Sequence, residues 1–197
     1  MYEDVPVLKN KLNIKNPKVL EKAESDITYV KLFDIDLAFS SDVFDYARLL
    51  AIHKYIFCDI YDWAGKIRTI PMVKGERVLG GDTVRYSQPD AIERDCIAVL
   101  RKLNSTMWST LGIRETAEVF TKLIAELWQV HPFREGNTRT VMTFATQFAQ
   151  SHGFRMDKTL LKDSAAYVRD ALVKASDGQY SEYDYLVTII EDSIRRG

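Results

Sequence analysis

The sequence predicts an all-α domain that carries one small β-hairpin flap, on three observations. First, apolar residues recur three or four positions apart, as on the buried face of a helix, along most of the 197 residues. Second, segment 66–87 departs from this spacing and has β-branched residues on both sides of Gly80-Gly81, which is typical of a hairpin. Third, no repeat, low-complexity tract or long linker divides the chain. We therefore expect one domain of residues 1–197, an orthogonal or irregular helical bundle on which residues 1–40 pack as an N-terminal extension.

The expected helices follow one another from a clear start signal. Asn16 can cap free amide groups and Pro17 is tolerated at the first helical position, so the first helix should begin there. Apolar stripes at helical spacing then mark the helices in chain order. The stripes contain Leu20, Ala23, Ile27 and Val30; Phe44, Ala47, Ala51 and Tyr55; Ile92, Cys96, Val99 and Leu103; Val119, Phe120, Leu123, Ile124 and Leu127; Val141, Phe144 and Phe148; Leu161, Ala165, Val168 and Leu172; and Tyr183, Leu186, Ile190 and Ile194.

The composition excludes several classes of partner. Lysine and arginine total 27 against 28 acids, a formal net charge of -1, so neither nucleic acid nor an anionic membrane is an expected partner. The opening residues contain no continuous apolar segment, and no later run approaches the ~20 apolar residues of a membrane-spanning helix. We expect a soluble, cytoplasmic protein. Its two cysteines, Cys58 and Cys96, lack metal-ligand spacing and are expected to be structural thiols.

Chemically active residues are concentrated in the segment 129–140, QVHPFREGNTRT. The proline after His131 should end the preceding helix, because a residue before proline avoids the α region, and the next apolar stripe begins only near Val141. Gly136 and Asn137 lie where this loop becomes the next helix. A helix N-terminus presents unpaired N–H groups and a partial positive charge, so phosphate is the expected occupant of the corner.

Three side chains in the segment suggest chemistry on that phosphate. His131, with an ordinary pKa of about 6.5, can accept a proton from an incoming hydroxyl near neutral pH. Glu135 could hold a Mg²⁺ ion that bridges phosphate oxygens, and Arg139 could add a fork of donors. Each residue alone is more often an ordinary surface residue or a complement to the helix dipole. Their combination within nine positions favours a nucleoside-triphosphate site.

The loop resembles the Fic (Fido) motif H-x-F-x-[DE]-G-N-G-R-x-x-R, the signature of protein adenylyltransferases. The stretches LKNKLNIK at 8–15 and IHKYIFCDIYDWAGKIRT at 52–69, together with the flap, also resemble the bacterial "cell filamentation" Fic group. The resemblance thus covers nearly the whole chain. It implies a Fic-fold helical domain that uses ATP and Mg²⁺ to transfer AMP to a Ser, Thr or Tyr hydroxyl of a target protein, with release of pyrophosphate.

The resemblance also implies a role for individual residues, with the motif loop and helix start spanning 129–142. The flap would hold the target segment by strand-like main-chain pairing, which presents a hydroxyl in line with the phosphate. The implied residues are His131 as the base, Glu135 as the magnesium ligand, Gly136, Asn137, Thr138 and Arg139 around the phosphates, and Met72, Val73 and Lys74 as the target-docking part of the flap.

Two departures from the motif leave alternatives open. Thr138 stands where the motif has glycine, and Met142 stands where it has the second arginine, which in the family reaches the terminal phosphate. A side chain at position 138 could obstruct the phosphates, and in the Doc branch of the fold a lysine there accompanies a kinase reaction. The alternatives to AMP transfer are therefore a Doc-like protein phosphotransferase and a catalytically silent Fic-fold binding module.

The family's inhibitory helix has no counterpart that the sequence reveals. That helix carries the pattern [ST]-x-x-x-E-[GN], and no serine or threonine of this chain is followed four positions later by glutamate. The resemblance therefore leaves two regulatory schemes. One is a small antitoxin-like inhibitor that binds in trans, and the other is the absence of Fic-type inhibition.

Overall fold

The computed structural model describes residues 1–39 and 41–197, and within them the chain folds into α-helices joined by turns and, over residues 58–91, by a long connection that contains the flap. This confirms the all-α fold class. Three short 3₁₀ turns, Arg77–Leu79, Trp108–Thr110 and Gly178–Tyr180, lie in the connections. The helices of the described residues are α1 (Pro17–Ala38), α2 (Tyr46–Phe57), α3 (Ile92–Ser105), α4 (Ile113–Val130), α5 (Asn137–Ser151), α6 (Lys158–Asp163), α7 (Ala165–Ala175) and α8 (Asp184–Arg196).

Polar side chains cap the starts of three helices. The Asn16 side chain accepts hydrogen bonds from the amides of the next turn, with Pro17 in the first helical position, as the sequence predicts for α1. Asp45 caps α2 in the same way, and Asp157 caps α6. A cap of this kind is worth about 1 kcal/mol, because it satisfies N–H groups that a helix cannot pair itself.

Helix α4 is the central element, and it packs against α3, α5, α7 and α8. The rings of Phe44, Trp108 and Phe120 surround Phe148 of α5, with centroid distances of 5.4, 5.9 and 6.1 Å. Phe120 and Phe148 are completely buried. Burial of such a side chain contributes roughly 1.5–3 kcal/mol, so this cluster fixes α5 firmly against α4. The corner between these two helices, where the motif lies, is thereby held in place.

The single helix predicted around Leu161–Leu172 is wrong, because the structure has two helices that meet at Ser164. Ser164 has φ -99° and ψ 16°, outside the helical range, and its N–H donates to the Leu160 carbonyl to close α6. Serine and aspartate compete for backbone hydrogen bonds and favour helix ends. The apolar spacing continues unbroken across the junction, so periodicity alone could not reveal this break.

The flap at 66–87 forms the predicted turn but not the regular strands of a hairpin. Gly75 and Thr83 make a single antiparallel bridge, with no further strand ladder among the residues that the structure describes. Gly80 (φ 65°) and Gly81 (φ 97°) adopt the left-handed conformations that favour glycine in a turn. The predicted hairpin is thus reduced to one bridge.

Side-chain contacts of Glu76 take the place of the missing ladder. This buried carboxylate accepts hydrogen bonds from Arg169 of α7 at 2.7 and 2.9 Å, and from the Tyr86 hydroxyl at 3.2 Å. The backbone of Glu76 still pairs across the turn, with its N–H donating to the Asp82 carbonyl at 2.8 Å, while its side chain reaches α7. The flap is therefore fastened to the helical body at its middle.

The remaining general expectations concern thiols and membranes. Cys58 and Cys96 are both free, and Cys96 is completely buried, where desolvation raises the pKa of its thiol to about 12. In the described part of the chain, no helix combines the length and the apolar character needed to cross a bilayer.

Candidate functional site

A cavity of about 840 Å³ lies where the α4–α5 corner meets the flap, α1 and α7. Its wall includes every residue to which the resemblance gives a role in the site. These residues are Met72, Val73, Lys74, His131, Glu135, Gly136, Asn137, Thr138 and Arg139. The wall contains two acidic side chains, Glu21 and Glu135, and four basic ones, Lys74, Arg134, Arg139 and Arg169. This excess of positive charge suits an anionic ligand.

His131 ends α4 in a left-handed conformation, with φ 52° and ψ 59°. Its ring packs on Tyr86, with 4.2 Å between the ring centroids, and only 5% of the residue is exposed. Burial lowers the pKa of His131 to about 3, and the positive charge of Lys74 adds to this effect. The imidazole is therefore neutral near pH 7 and can accept a proton.

Arg68, which the sequence reasoning missed, holds His131 and the flap together. This buried side chain donates from Nε to the His131 carbonyl at 2.7 Å and from Nη1 to the Ile70 carbonyl at 2.9 Å. Nη2 donates to the Ser87 carbonyl, and the Arg68 backbone N–H donates to the Pro132 carbonyl at 2.8 Å. One guanidinium thus joins both ends of the flap to the end of α4. Only its place inside the family-like stretch 52–69 hinted at a role.

Gly136 and Asn137 shape the turn into α5. Gly136 has φ 78°, and a Cβ atom at this position would lie 2.2 Å from the Phe57 ring, so no other residue fits without displacing that ring. The buried Asn137 amide bonds both backbone groups of Phe133, accepting from its N–H at 2.9 Å and donating to its carbonyl at 2.8 Å. The Asn137 side chain therefore locks the loop.

The first turn of α5 leaves backbone donors for a ligand. Among the described residues, the N–H groups of Asn137, Thr138 and Arg139 have no hydrogen-bond acceptor, and Gly136 provides no side-chain cap. These groups belong to the wall of the cavity and carry the partial positive charge of the helix N-terminus. Such a helix start can bind an anion, and the binding of phosphate at this corner stays a prediction.

Glu135 is the carboxylate nearest in sequence to this corner, and it is half-buried. One of its oxygens, Oε1, accepts from the Gly136 N–H at 2.9 Å. Within residues 1–39 and 41–197, no group of three or more metal-ligating side chains exists. A single carboxylate suits Mg²⁺, which typically keeps several waters and takes its remaining ligands from substrate phosphates.

Arg139 is engaged by α1, a contact that the sequence reasoning missed. Its Nη1 donates to the Thr28 hydroxyl at 2.9 Å, and its Nη2 forms an ion pair with Glu24. The guanidinium carbon also lies 5.0 Å from the centroid of the Phe57 ring. Glu24 is buried and accepts a second hydrogen bond, from the Tyr61 hydroxyl at 2.6 Å. To bind a phosphate through both Nη atoms, Arg139 would have to exchange these partners.

The two residues that depart from the motif have different surroundings. Thr138 Oγ1 accepts a hydrogen bond from the Trp128 indole Nε1 at 2.9 Å, and both side chains line the cavity. Met142, one turn further along α5, packs against the hydrophobic core and is not part of the cavity wall. Thr138 thus contributes a hydroxyl to the site, whereas Met142 contributes nothing polar.

The flap presents an open backbone edge above the corner. In the described structure, the N–H groups of Met72 and Val73 have no acceptor, and Val73 is 82% exposed. Lys74 follows, with its N–H bonded to the Thr83 hydroxyl at 3.2 Å. An extended segment of another protein could pair with such an edge.

Several known proteins are similar to this chain. The family model described as "Fic/DOC family" matches residues 43–149. The chain is 30% identical to the probable protein adenylyltransferase y4lH of Sinorhizobium fredii over 90% of this chain and 87% of that protein. It is 29% identical to the protein adenylyltransferase VbhT of Bartonella schoenbuchensis over 95% of this chain, which corresponds to only 37% of VbhT. A crystal structure of the N-terminal Fic domain of a putative cell filamentation protein from Bartonella quintana, with bound ADP, superposes with a TM-score of 0.81 at 26% identity, covering 98% and 92% of the two chains.

Proposed function

Because the chain belongs to the Fic/DOC family, we propose that it is a protein adenylyltransferase, which transfers AMP from ATP to a Ser, Thr or Tyr hydroxyl of a target protein. The observation that carries the proposal is the single cavity in which a neutral histidine, a carboxylate, an anion-binding helix start and an open backbone edge meet. The name of the relative y4lH and the ADP bound in the similar Bartonella quintana domain support it.

His131 acts on the target hydroxyl in this proposal. Its Nδ1 atom is buried without a hydrogen-bond partner among the described residues, which leaves Nε2 as the nitrogen that accepts the proton. The deprotonated oxygen attacks the α-phosphorus of ATP, its new P–O bond replaces the bond to the β-phosphate, and pyrophosphate leaves. The imidazole is neutral in the free protein, so a nitrogen lone pair is available for that proton.

The start of α5 holds the phosphates. The free N–H groups of Asn137, Thr138 and Arg139 point to this role, with Gly136 allowing the tight turn. Glu135 would hold Mg²⁺, which screens the negative charge of the phosphates when it is bound. The Arg139 guanidinium would reach the phosphates after leaving Glu24.

The target segment lies along the flap. Pairing with the backbone of Met72 and Val73 would hold a segment of almost any sequence and bring one hydroxyl towards His131. Arg68 maintains this arrangement, because it bonds to both the flap and the end of α4.

Two alternatives remain, each tied to one residue. Thr138 occupies the position at which the Doc branch has lysine, which favours a phosphotransferase as the second candidate. The uncharged Met142 at the second arginine position favours a silent binding module as the third.

Incubation of the protein with Mg²⁺-ATP and a cell lysate, followed by mass spectrometry of the modified peptides, separates these candidates. AMP added to a hydroxyl is the expected result, and a phosphoryl group in its place would identify the phosphotransferase. His131→Ala should abolish transfer but retain ADP binding in calorimetry, because a base does not hold the phosphates. Glu135→Ala should lose the magnesium-dependent part of that binding. Absence of both transfer and nucleotide binding would leave the silent module.

A further inference from the structure

The strongest additional feature of the cavity is the hydrogen bond between Trp128 and Thr138. Trp128 is almost completely buried at the end of α4, where its ring packs edge-on against Tyr86 and His131 with centroid distances of 6.1 and 5.2 Å. Its indole N–H can only donate, so the 2.9 Å contact fixes Thr138 Oγ1 as the acceptor. The Thr138 hydroxyl is thereby held by a rigid, buried partner.

This bond leaves the proton of the Thr138 hydroxyl uncommitted. A hydroxyl has one donor and two acceptor lone pairs, and Trp128 uses only a lone pair. In the described structure Thr138 Oγ1 has no acceptor of its own, whereas Thr140 and Thr146 on the same helix donate to the carbonyls of Gly136 and Thr143 at 2.9 and 3.0 Å. The available proton belongs to a half-buried residue in the wall of the cavity.

The other side chains of this part of α5 are less suited to hold an anion. Asn137 is committed to the loop, and both Nη atoms of Arg139 are bound by α1. Met142 has no donor and lies outside the cavity wall. Beside the free backbone N–H groups, the Thr138 hydroxyl is thus the side-chain donor that this helix offers without a prior rearrangement.

We propose that the Thr138 hydroxyl donates a hydrogen bond to a phosphate oxygen of the bound nucleotide, and that the Trp128 indole orients it for this contact. The proposal rests on the nucleotide site of the proposed function. Threonine at the motif's glycine position then strengthens the grip on the phosphates, and Trp128 is a positioning residue that acts through Thr138.

The test measures calorimetric binding of ADP and of tripolyphosphate, each with Mg²⁺, to matched variants. Thr138→Val keeps the shape and removes the hydroxyl, and we expect it to weaken both ligands about tenfold, as loss of a hydrogen bond to a charged group does. Thr138→Ser should stay within about threefold of the unaltered protein. Thr146→Val makes the same chemical change on the same helix away from the cavity, and it should leave binding unchanged.

The role of Trp128 requires a double-mutant cycle. Trp128→Phe removes the indole N–H, and it should weaken binding in the unaltered protein but not further in Thr138→Val, because it acts through the hydroxyl. Thermal melting of each variant identifies those that are folded. If Trp128→Phe does not fold, Thr138→Val and Thr138→Ser still decide whether the hydroxyl binds phosphate.

Specific outcomes would overturn the proposal. If Thr138→Val binds both ligands as tightly as the unaltered protein does, the hydroxyl is not a phosphate donor. The same follows if Thr138→Ser binds them as weakly as Thr138→Val does. Either result would leave the nucleotide site intact. An unaltered protein that binds neither ADP nor tripolyphosphate would remove the proposed nucleotide site and this inference together. If Trp128→Phe weakens binding equally in the unaltered protein and in Thr138→Val, Trp128 is not the residue that orients the hydroxyl.

Discussion

Burial determines the protonation state of His131 and thus the pH dependence of the proposed reaction. Because the folded-state pKa is about 3, below the ordinary 6.5, the imidazole stays neutral across the range where an exposed histidine would gain a proton. We therefore expect the rate of AMP transfer at saturating ATP to change less than about twofold between pH 7 and 5.5. Rates measured in a series of buffers check this, and a fall to half near pH 6.5 would contradict it.

The same burial makes a separate prediction for stability. The pKa of His53, which is also buried, is lowered to about 4, again chiefly by desolvation. Both groups bind protons more readily in the unfolded chain, so the free energy of unfolding should decrease as the pH falls from about 6.5 towards 4. Thermal melting across that range measures the effect. A melting temperature that rises on acidification would contradict it, and salt concentration should be held constant throughout.

For single residues, the sequence predicted the site where the residues are neighbours in the chain. The order of residues in 129–140 predicted the cavity wall, because a proline, a glycine and a helix start fix their own local geometry. Arg68 and Glu24 were not predicted, since they lie 63 and 115 positions from the residues that they bind. A polar side chain that contacts a distant carbonyl or an ion-pair partner leaves no periodic pattern in the sequence.

Among the elements, the flap depends on the Arg68 side chain for its attachment to α4. A lysine at 68 keeps the charge but has all its donors on one nitrogen, so it cannot reproduce the separate bonds that Nε, Nη1 and Nη2 make to the His131, Ile70 and Ser87 carbonyls. We expect Arg68→Lys to lower kcat/KM for the target protein at least tenfold and to change ADP binding less than threefold.

Arg85→Lys is the matched control for that variant, because Arg85 is an exposed arginine of the same segment with no ion-pair partner in the described structure. It should behave as the unaltered protein does. A melting curve must first show that Arg68→Lys is folded. Equal target modification by the two variants would show that the flap holds its position without Arg68.

The ion pair between α1 and α5 predicts two effects of Glu24→Gln. Removal of one member of a partly buried pair should lower the free energy of unfolding by about 1–3 kcal/mol. It should also release Arg139, and if this arginine holds phosphate, ADP binding should tighten several-fold. Melting and calorimetry measure the two effects.

Glu21→Gln provides the comparison on the same helix, since Glu21 lines the cavity and has no ion-pair partner among the described residues. It should leave stability unchanged. If Glu24→Gln lowers stability but leaves ADP affinity as it was, Arg139 is an anchor for α1 and does not hold the phosphates.

The elements themselves were predictable to the extent that they bury a continuous face. The long stripes on α4 and α5 were correct because those helices pack on several sides. The junction at Ser164 and the single bridge of the flap were not predictable from spacing. Both features involve polar residues, Ser164 and Glu76, whose contacts leave no pattern of apolar residues in the sequence.

For the whole molecule, the proposed activity predicts an effect on a host cell. An adenylyltransferase without restraint would modify essential proteins, and the inhibitor expected in trans would have to be supplied separately. Expression of this chain alone in bacteria should therefore slow growth and cause filamentation, with AMP attached to host proteins, and His131→Ala should cause none of these effects. Harmless expression accompanied by strong modification would contradict the need for such an inhibitor.

The long separations within the site also bear on how the protein is made. The pair Glu24–Arg139 spans 115 positions, and Glu76–Arg169 joins the flap to α7 across 93. During synthesis on a ribosome, Arg68 can join the flap to α4 first, but the contact at the middle of the flap cannot form until α7 has emerged. A nascent chain that has not yet reached Arg169 therefore has a flap that is not fastened at its middle.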